Sequence, residues 1–345
     1  MKVLVTGGTG FIGSHTVIAL IEAGMKPVIV DNFDNSSPSV LEKIRAITQV
    51  APTFYEVDCN NPEEMNRVFE TEKDIQGVIH FAAYKAVGES VVQPLKYYQN
   101  NVGSLIVLLN TMKKHQTPHL VFSSSCTVYG QPEQLPVTEA SPIIPAESPY
   151  GNTKQICEEV IQDLVHSTQY GVDQVQLNAV LLRYFNPIGA HPSGHIGELP
   201  TGVPNNLVPY IVQTAAGLRE KLIIFGKDYS TPDGTCVRDY IHVVDLADAH
   251  VKALQFLTNA KQNDRICEVF NVGTGKGNSV QELVQVFEKV NNVQLRYEFG
   301  DRRQGDIEQI YASVDKANTQ LGWQAQRSLE EGLKDAWNWQ QKLMK

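Results

Sequence analysis

Short apolar runs alternate with amphipathic stretches along the first half of this 345-residue chain. Candidate strands fall at residues 3–6, 27–30, 54–57, 77–81, 120–123 and 180–184. Helical periodicity runs through 11–23, 39–48, 62–69, 94–114 and 149–167. Strands that are apolar throughout and separated by helices belong in a parallel sheet covered on both faces. The expected fold class is α/β, a doubly wound parallel sheet with its ligands at the carboxyl ends of the strands.

After about residue 186 the texture changes. Residues 186–206 are rich in Gly, Pro and His and read as an ordered loop with neither strand nor helix. Residues 207–218 have helical spacing, 222–225 read as a strand, and 241–257 as a strand followed by a helix. A last unit passes through Phe270, 279–289 and 329–342. This division predicts a dinucleotide-binding domain over 1–186 and a smaller mixed α/β substrate cap over 187–345, with some later segments returning to the main sheet.

Composition narrows the field. The chain is 42% hydrophobic and 19% charged, an ordinary globular profile, with a net charge of -9 and no long run of like charge. A nucleic-acid surface or a polybasic membrane patch is not expected. No stretch approaches ~18 unbroken apolar residues, and no signal-like segment precedes the first strand. Cys59, Cys126, Cys157, Cys236 and Cys267 are scattered with no C-x-x-C, which suits reduced thiols in the cytoplasm. His191 and His195 are four apart, but Pro192 and Gly194 deny them a helical face, so no metal site is expected.

Thr6-Gly7-Gly8-Thr9-Gly10-Phe11-Ile12-Gly13 follows an apolar strand and opens a helix. Glycines at 7, 10 and 13 allow a tight turn, close approach of backbone to a pyrophosphate, and close helix–strand packing. The helix amino end adds free N–H groups and a positive dipole. This is the signature of a Rossmann dinucleotide site. Asp31 ends the second strand about 20 residues after Gly10, where a carboxylate accepts from both ribose hydroxyls and repels a 2′-phosphate. The expected cofactor is therefore NAD, not NADP. Asn32, Asn35 and Ser36 are neighbours for ribose or phosphate, and Asp58 for the adenine amino group.

Tyr150 and Lys154 lie in Ser148-Pro149-Tyr150-Gly151-Asn152-Thr153-Lys154, downstream of Ser123-Ser124-Ser125. Four residues along a helix return to the same face, so the ammonium can approach the phenol. A free phenol titrates near ~10, and bringing it to ~7 takes about 4 kcal/mol of preferential stabilisation of the anion. One ammonium ~5 Å away supplies roughly 3 kcal/mol at an effective dielectric of about 20. A cationic ring, such as oxidised nicotinamide, would supply the rest.

Longer strings carry a family resemblance: residues 7–15, Val78-Ile79-His80-Phe81-Ala82-Ala83, Lys85-Ala86-Val87-Gly88-Glu89-Ser90 and 122–130. It continues in Leu182-Arg183-Tyr184-Phe185-Asn186-Pro187, Pro204-Asn205-Asn206-Leu207 and Val237-Arg238-Asp239-Tyr240-Ile241-His242-Val243. Over nearly its whole length the chain resembles the extended short-chain dehydrogenase/reductase family, and within it the UDP-glucose (UDP-galactose) 4-epimerases. The resemblance implies that Tyr150 is the base at the sugar 4-hydroxyl, that Lys154 lowers its pKa and holds the nicotinamide ribose, and that Ser125 bonds the sugar O4. It further implies that Cys59, Phe81, Ala82, Lys85, Asn100, Ser123, Tyr184 and Phe185 join Gly7, Gly10, Phe11, Ile12, Gly13, Asp31, Asn32 and Asp58 around NAD. The nucleotide sugar would meet Lys85, Asn186, Asn206, Leu207, Leu222, Phe225, Arg238, Tyr240, Arg303, Asp306 and Ile310. Arg238 and Arg303 suit a diphosphate, Phe225 can cover uracil, and Asp306 can accept from ribose.

Related 4,6-dehydratases need an acid pair at the strand end where this chain has Cys126 and Thr127, and related sugar-acid decarboxylases place Glu at the position of Thr127. The resemblance therefore implies reversible epimerisation at C4 of a UDP-hexose. Three alternatives remain: an epimerase of N-acetylated UDP-sugars, another NAD-dependent nucleotide-sugar oxidoreductase, and a non-catalytic NAD-binding protein. Ile310 stands where a bulky Tyr restricts relatives to plain hexoses; it lacks the ring yet is not small. Family members dimerise through two helices, here 94–114 and 149–167, so a homodimer is expected.

Overall fold

The computed structural model describes residues 1–167, 176–259, 265–303 and 306–345. The chain begins β1 (Lys2–Thr6), α1 (Phe11–Glu22), β2 (Lys26–Asp31), α2 (Ser39–Thr48), β3 (Thr53–Glu56), α3 (Pro62–Thr71) and β4 (Ile75–His80). Next come α4 (Val87–Val92), α5 (Pro94–Tyr97), α6 (Gly103–Lys114), β5 (His119–Ser125), α7 (Pro149–His166) and β6 (Asn178–Tyr184). The carboxyl half adds β7 (Asn186–Ile188), α8 (Leu207–Ala215), β8 (Leu222–Phe225), β9 (Val237–Arg238), β10 (Tyr240–His242) and α9 (Val243–Thr258). It closes with β11 (Cys267–Val272), β12 (Asn278–Ser279), α10 (Val280–Asn291), β13 (Tyr297–Gly300), β14 (Gln309–Ile310) and α11 (Leu329–Leu343).

Seven strands form the central sheet in the order β11-β6-β5-β4-β1-β2-β3, and all of its pairings are parallel. The winding reverses between β1 and β4, and that reversal opens a crevice at their carboxyl ends. Each face carries its own apolar core because the strands are apolar on both sides. Val17 and Leu20 of α1 meet Leu246 and Leu254 of α9 on one face. Val68 of α3, Leu105 and Leu108 of α6, and Ile161 of α7 cover the other. A separate core of Ile211, Leu283, Phe287 and Leu333 holds the cap. The carboxyl half returns to the main layer twice, through β11 beside β6 and through α9 against α1.

Two local expectations needed correction. Residues 94–114 are not one helix: a π-helical turn, Tyr98–Val102, separates α5 from α6. The extra residue re-aims the side chains that follow, a recurrent device at functional sites. Asn100 lines the crevice, while Asn101 is buried, donating from Nδ2 to Tyr84 O at 3.0 Å and to Thr153 Oγ1 at 3.1 Å. Within 186–206, β7 is a strand paired in parallel with β10. Three residues are too few to show a period, and their partner lies far along the chain.

Candidate active site

The crevice begins at the glycine turn. Gly7 adopts φ +68°, and a Cβ there would lie 2.8 Å from Ala82 N. A Cβ on Gly13 would sit 2.2 Å from Gly7 O, so α1 closes on the turn only because residue 13 lacks one. Gly10, in extended backbone, caps α1 without any side-chain hydrogen bond. The first amides of α1 are thus left for an anion. Asp31 accepts from Thr9 N at 3.1 Å, Phe33 N at 2.9 Å and Ser36 Oγ at 3.1 Å. These bonds fix the carboxylate at the crevice wall, fill Oδ1 and leave one lone-pair site, on Oδ2, for a ribose hydroxyl.

Gly7, Gly10, Phe11, Ile12, Gly13, Asp31, Asn32, Asn35, Asp58 and Cys59 line this crevice together. So do Phe81, Ala82, Lys85, Asn100, Ser123, Tyr150, Lys154 and Tyr184. Ser36 lines the adjoining cavity with Lys85 and Asn206. Phe185 lies instead in a buried cluster with Cys126 and Ile310. Sequence reasoning missed Asp34, Val57, Asn60, Ala83, Tyr84 and Ser104, which also line the crevice. Tyr84 lies between two of the family strings and was findable; Asn60 and Ser104 carry no signal of their own. A cleft that excludes Cβ atoms at its turn, leaves a helix end uncapped and places a carboxylate at the end of β2 fits NAD.

The reacting end is assembled by β5 and α7. Ser148 caps α7, accepting from Gly151 N at 3.2 Å, and Pro149 occupies the first turn. Tyr150 therefore stands in the first turn, and Lys154 one turn later. Lys154 Nζ donates to Ser123 O at 2.6 Å and lies 4.8 Å from the centre of the Phe122 ring. The Ser123 hydroxyl is hydrogen-bonded to the Tyr184 hydroxyl. Burial lowers the Lys154 pKa to about 8, with Cys157 and Glu158 pulling the other way. Burial also pushes the Tyr150 phenol up to about 12, against a hydrogen bond from Ser125 that pulls it down. The ammonium is thus already engaged by a carbonyl, and the protein alone does not make Tyr150 a base at neutral pH. Cys126 is pushed up to about 12 by burial and stays a thiol.

The cap presents a second group. Arg303 pairs with Asp306 at 2.6 Å, and its guanidinium lies 5.9 Å from the centre of the Phe225 ring. The intervening residues 304 and 305 lie outside the described ones. Arg238 donates to Val237 O at 2.9 Å and stands opposite Ile310 in register. Tyr240 is buried beside Ile188 and Leu207 in the cap core, which also holds Leu222. Asn186 begins β7, opposite Tyr240 in register. Glu198, not singled out by the sequence, accepts from Lys85 Nζ at 3.0 Å and from Asn206 Nδ2 at 2.6 Å. It ties the cofactor side of the cleft to the cap. Among the described residues, no group of three or more His, Cys, Asp or Glu could hold a metal ion, and no helix is long and apolar enough to cross a membrane.

A dinucleotide cleft floored by a Tyr-x-x-x-Lys helix puts the chain in the extended short-chain dehydrogenase/reductase class, and the comparisons with known proteins narrow it. The family model for GDP-mannose 4,6 dehydratase matches residues 4–336. A UDP-glucose 4-epimerase of Bacillus subtilis is 50% identical, across 99% of this chain and 97% of its own length. The crystal structure of an epimerase of the same name from Stenotrophomonas maltophila, with bound NAD and formylated UDP-arabinopyranose, is 45% identical. It aligns over 100% of this chain and 99% of its own with a TM-score of 0.94. The Bifidobacterium longum enzyme, in complex with NAD+ and UDP, is also 45% identical and gives 0.92, covering 99% and 98% of the two chains. The chain belongs to the UDP-glucose 4-epimerase family.

Proposed function

We propose that Ser125, Tyr150 and Lys154 perform the proton chemistry of a reversible C4 epimerisation that interconverts UDP-galactose and UDP-glucose. When bound, NAD supplies a reversible hydride acceptor for sugar C4 and, oxidised, a positive ring beside the phenol. The residues around the crevice hold it: the glycine turn and the amino end of α1 at the pyrophosphate, Asp31 at the adenosine ribose, and Lys154 at the nicotinamide ribose. Tyr150 takes the proton of the 4-hydroxyl while Ser125 bonds the same oxygen. The 4-keto sugar presents its other face, and as hydride returns to C4 Tyr150 gives the proton back to O4, so one stereocentre inverts with no net oxidation. Arg238 and Arg303 grip the diphosphate, Phe225 covers uracil, and Asn186, Asn206, Leu207, Leu222, Tyr240 and Asp306 complete the nucleotide-sugar side.

The observation that carries this reading is the company of Tyr150 at the end of β5. Ser125 is present to share a proton, and Cys126, a buried neutral thiol, stands with Thr127 where elimination of water would need two acids. UDP-galactose given to the purified holoenzyme should yield UDP-glucose without added NAD and without accumulation of NADH. Stoichiometric NADH would make it an ordinary oxidoreductase.

A second reading concerns substrate breadth. Ile310 is buried with Cys126 and Phe185 next to Arg238, and as the wall of the sugar pocket it offers less bulk than Tyr. Modest turnover of UDP-N-acetylgalactosamine beside UDP-galactose is expected; none at all would restrict the enzyme to plain hexoses. The homodimer is supported by an exposed apolar strip on α4, α5 and α6. There Val91 is 61%, Val92 79%, Leu95 80% and, on α6, Ile106 45% exposed, and exposed apolar side chains on successive helices suit a subunit contact. Sedimentation at micromolar concentration should give a dimer, and a monomer alone would reject it. Five free cysteines suit the cytoplasm.

A further inference from the structure

Beneath the three proposed catalytic residues lies a buried ion pair that the reaction as described does not use. Glu158 and Arg183 are 3% and 4% exposed. Arg183 holds Glu158 through three bonds: Nη2 to Oε2 at 2.5 Å, Nε to Oε1 at 2.9 Å and Nε to Oε2 at 3.2 Å. Ser124 Oγ donates to Glu158 Oε1 at 2.5 Å. The remaining Arg183 nitrogen, Nη1, donates to Tyr129 O–H at 3.1 Å, and that hydroxyl donates to Asn271 Oδ1 at 2.6 Å. One carboxylate therefore ties α7, β5 and β6 together, and the network runs on to β11.

Its place in the sequence gives it leverage. Glu158 follows Lys154 by one helical turn, as Lys154 follows Tyr150, so all three share a face of α7. Side chains alternate along β5, so Ser124 points to the Glu158 side while Ser123 and Ser125 point the other way. Those two are the ones that meet Tyr184 and Tyr150, and Ser123 O receives Lys154 Nζ. Ser124 and Arg183 are also opposite each other in register.

We infer that Glu158 and Arg183 are positioning residues for the epimerisation: through Ser124 they clamp the end of β5 onto α7, and so set the placement of Ser125, Tyr150 and Lys154 about the sugar. A pair of similar-sized apolar groups would fill the same space, but it would neither fix the height of β5 against α7 nor leave an anion one turn from Lys154. Lys154 feels Cys157 and Glu158 on its own helix and His80 at the end of β4, and it shares the crevice with Tyr150 and Tyr184, while Arg183 stands behind Glu158. Of these, Glu158 is the carboxylate that favours the ammonium. Losing it while Arg183 stays charged disfavours the ammonium twice over, so the alkaline limb of activity moves to lower pH.

The inference rests on the epimerase reading, and the test separates the two. Purified holoenzymes of wild type, Ser124→Ala, Glu158→Gln and the double variant Glu158→Met/Arg183→Met are compared for NAD content, KM and kcat on UDP-galactose, the pH profile, and the isotope effect with 4-deuterated sugar. Ser124→Ala removes only the tether and leaves the ion pair, so it guards against a Glu158→Gln chain that fails to fold. Expected is a loss of kcat of about 10- to 100-fold, as displacements near 1 Å produce. KM and NAD content should stay near wild type, and the isotope effect should rise. In Glu158→Gln the alkaline limb should shift to lower pH. Ser124→Ala or the double variant turning over within about twofold of wild type, with an unmoved pH profile, would show the pair to be structural only and overturn the inference. A wild type that fails to epimerise would instead overturn the reading of function.

Discussion

At the scale of the residue, the phenol of Tyr150 shows how far chemistry depends on surroundings. The spacing to Lys154 supplies a cation of about the right strength on paper. In the folded protein that ammonium is bonded to Ser123 O, and burial lifts the phenol to about 12. A base at neutral pH therefore needs more positive charge than the protein contributes, which fits a cofactor that is cationic when oxidised. Tyr150→Phe keeps the ring and removes the hydroxyl proposed as the proton acceptor. It should cut kcat by at least about 10³-fold, in the upper range for acid–base groups, with NAD still bound; undiminished turnover would remove Tyr150 from the role. Tyr150, Lys154 and Ser125 were legible because motifs of fixed spacing on one helix or one strand end survive as strings. Glu158, Arg183 and Glu198 were not, since each matters through a partner distant in sequence.

At the scale of the element, caps and turns decide where the chemistry stands. Ser148 and Pro149 start α7 at the residue before Tyr150, and the glycine turn brings α1 against β1. Gly13→Ala tests the latter. Its Cβ would sit 2.2 Å from Gly7 O, closer than any contact can relax without moving the turn, so most bound NAD should be lost while the fold persists. Cofactor content by absorbance after denaturation measures it; full occupancy would mean that the turn yields. Nearly all the elements of the first half were readable, because apolar runs and 3.6-residue periods are local. The π-helical turn was not, because what favours it is the buried Asn101 bonded to Tyr84 and Thr153, a tertiary reward for an irregular backbone.

At the scale of the whole molecule, burial of ionisable groups ties stability to pH. Burial lowers His15 and His80 to about 3 and His250 to about 4. The same side chains titrate near ~6.5 when unfolded. Between these values the unfolded chain holds protons that the folded chain does not, so stability falls as pH drops below about 6.5. Each histidine loses ~1.4 kcal/mol per unit, so the three together lose roughly 6 kcal/mol by about pH 5. That is comparable with the entire stability of many domains, about 5–15 kcal/mol. Urea midpoints should be nearly level just above neutrality and fall steeply below about pH 6.5; a flat profile would mean that these rings protonate without unfolding. By itself the sequence determined the α/β class, the NAD turn with Asp31, and the Tyr150–Lys154 pair, because each depends on residues close together along the chain. Only the tertiary structure decided the return of β11 and α9 to the main layer, the cap's meeting with the cleft at Glu198, and the Glu158–Arg183 clamp beneath the serines. Parallel pairing and buried charge are settled between distant segments, whose mutual burial no local pattern records.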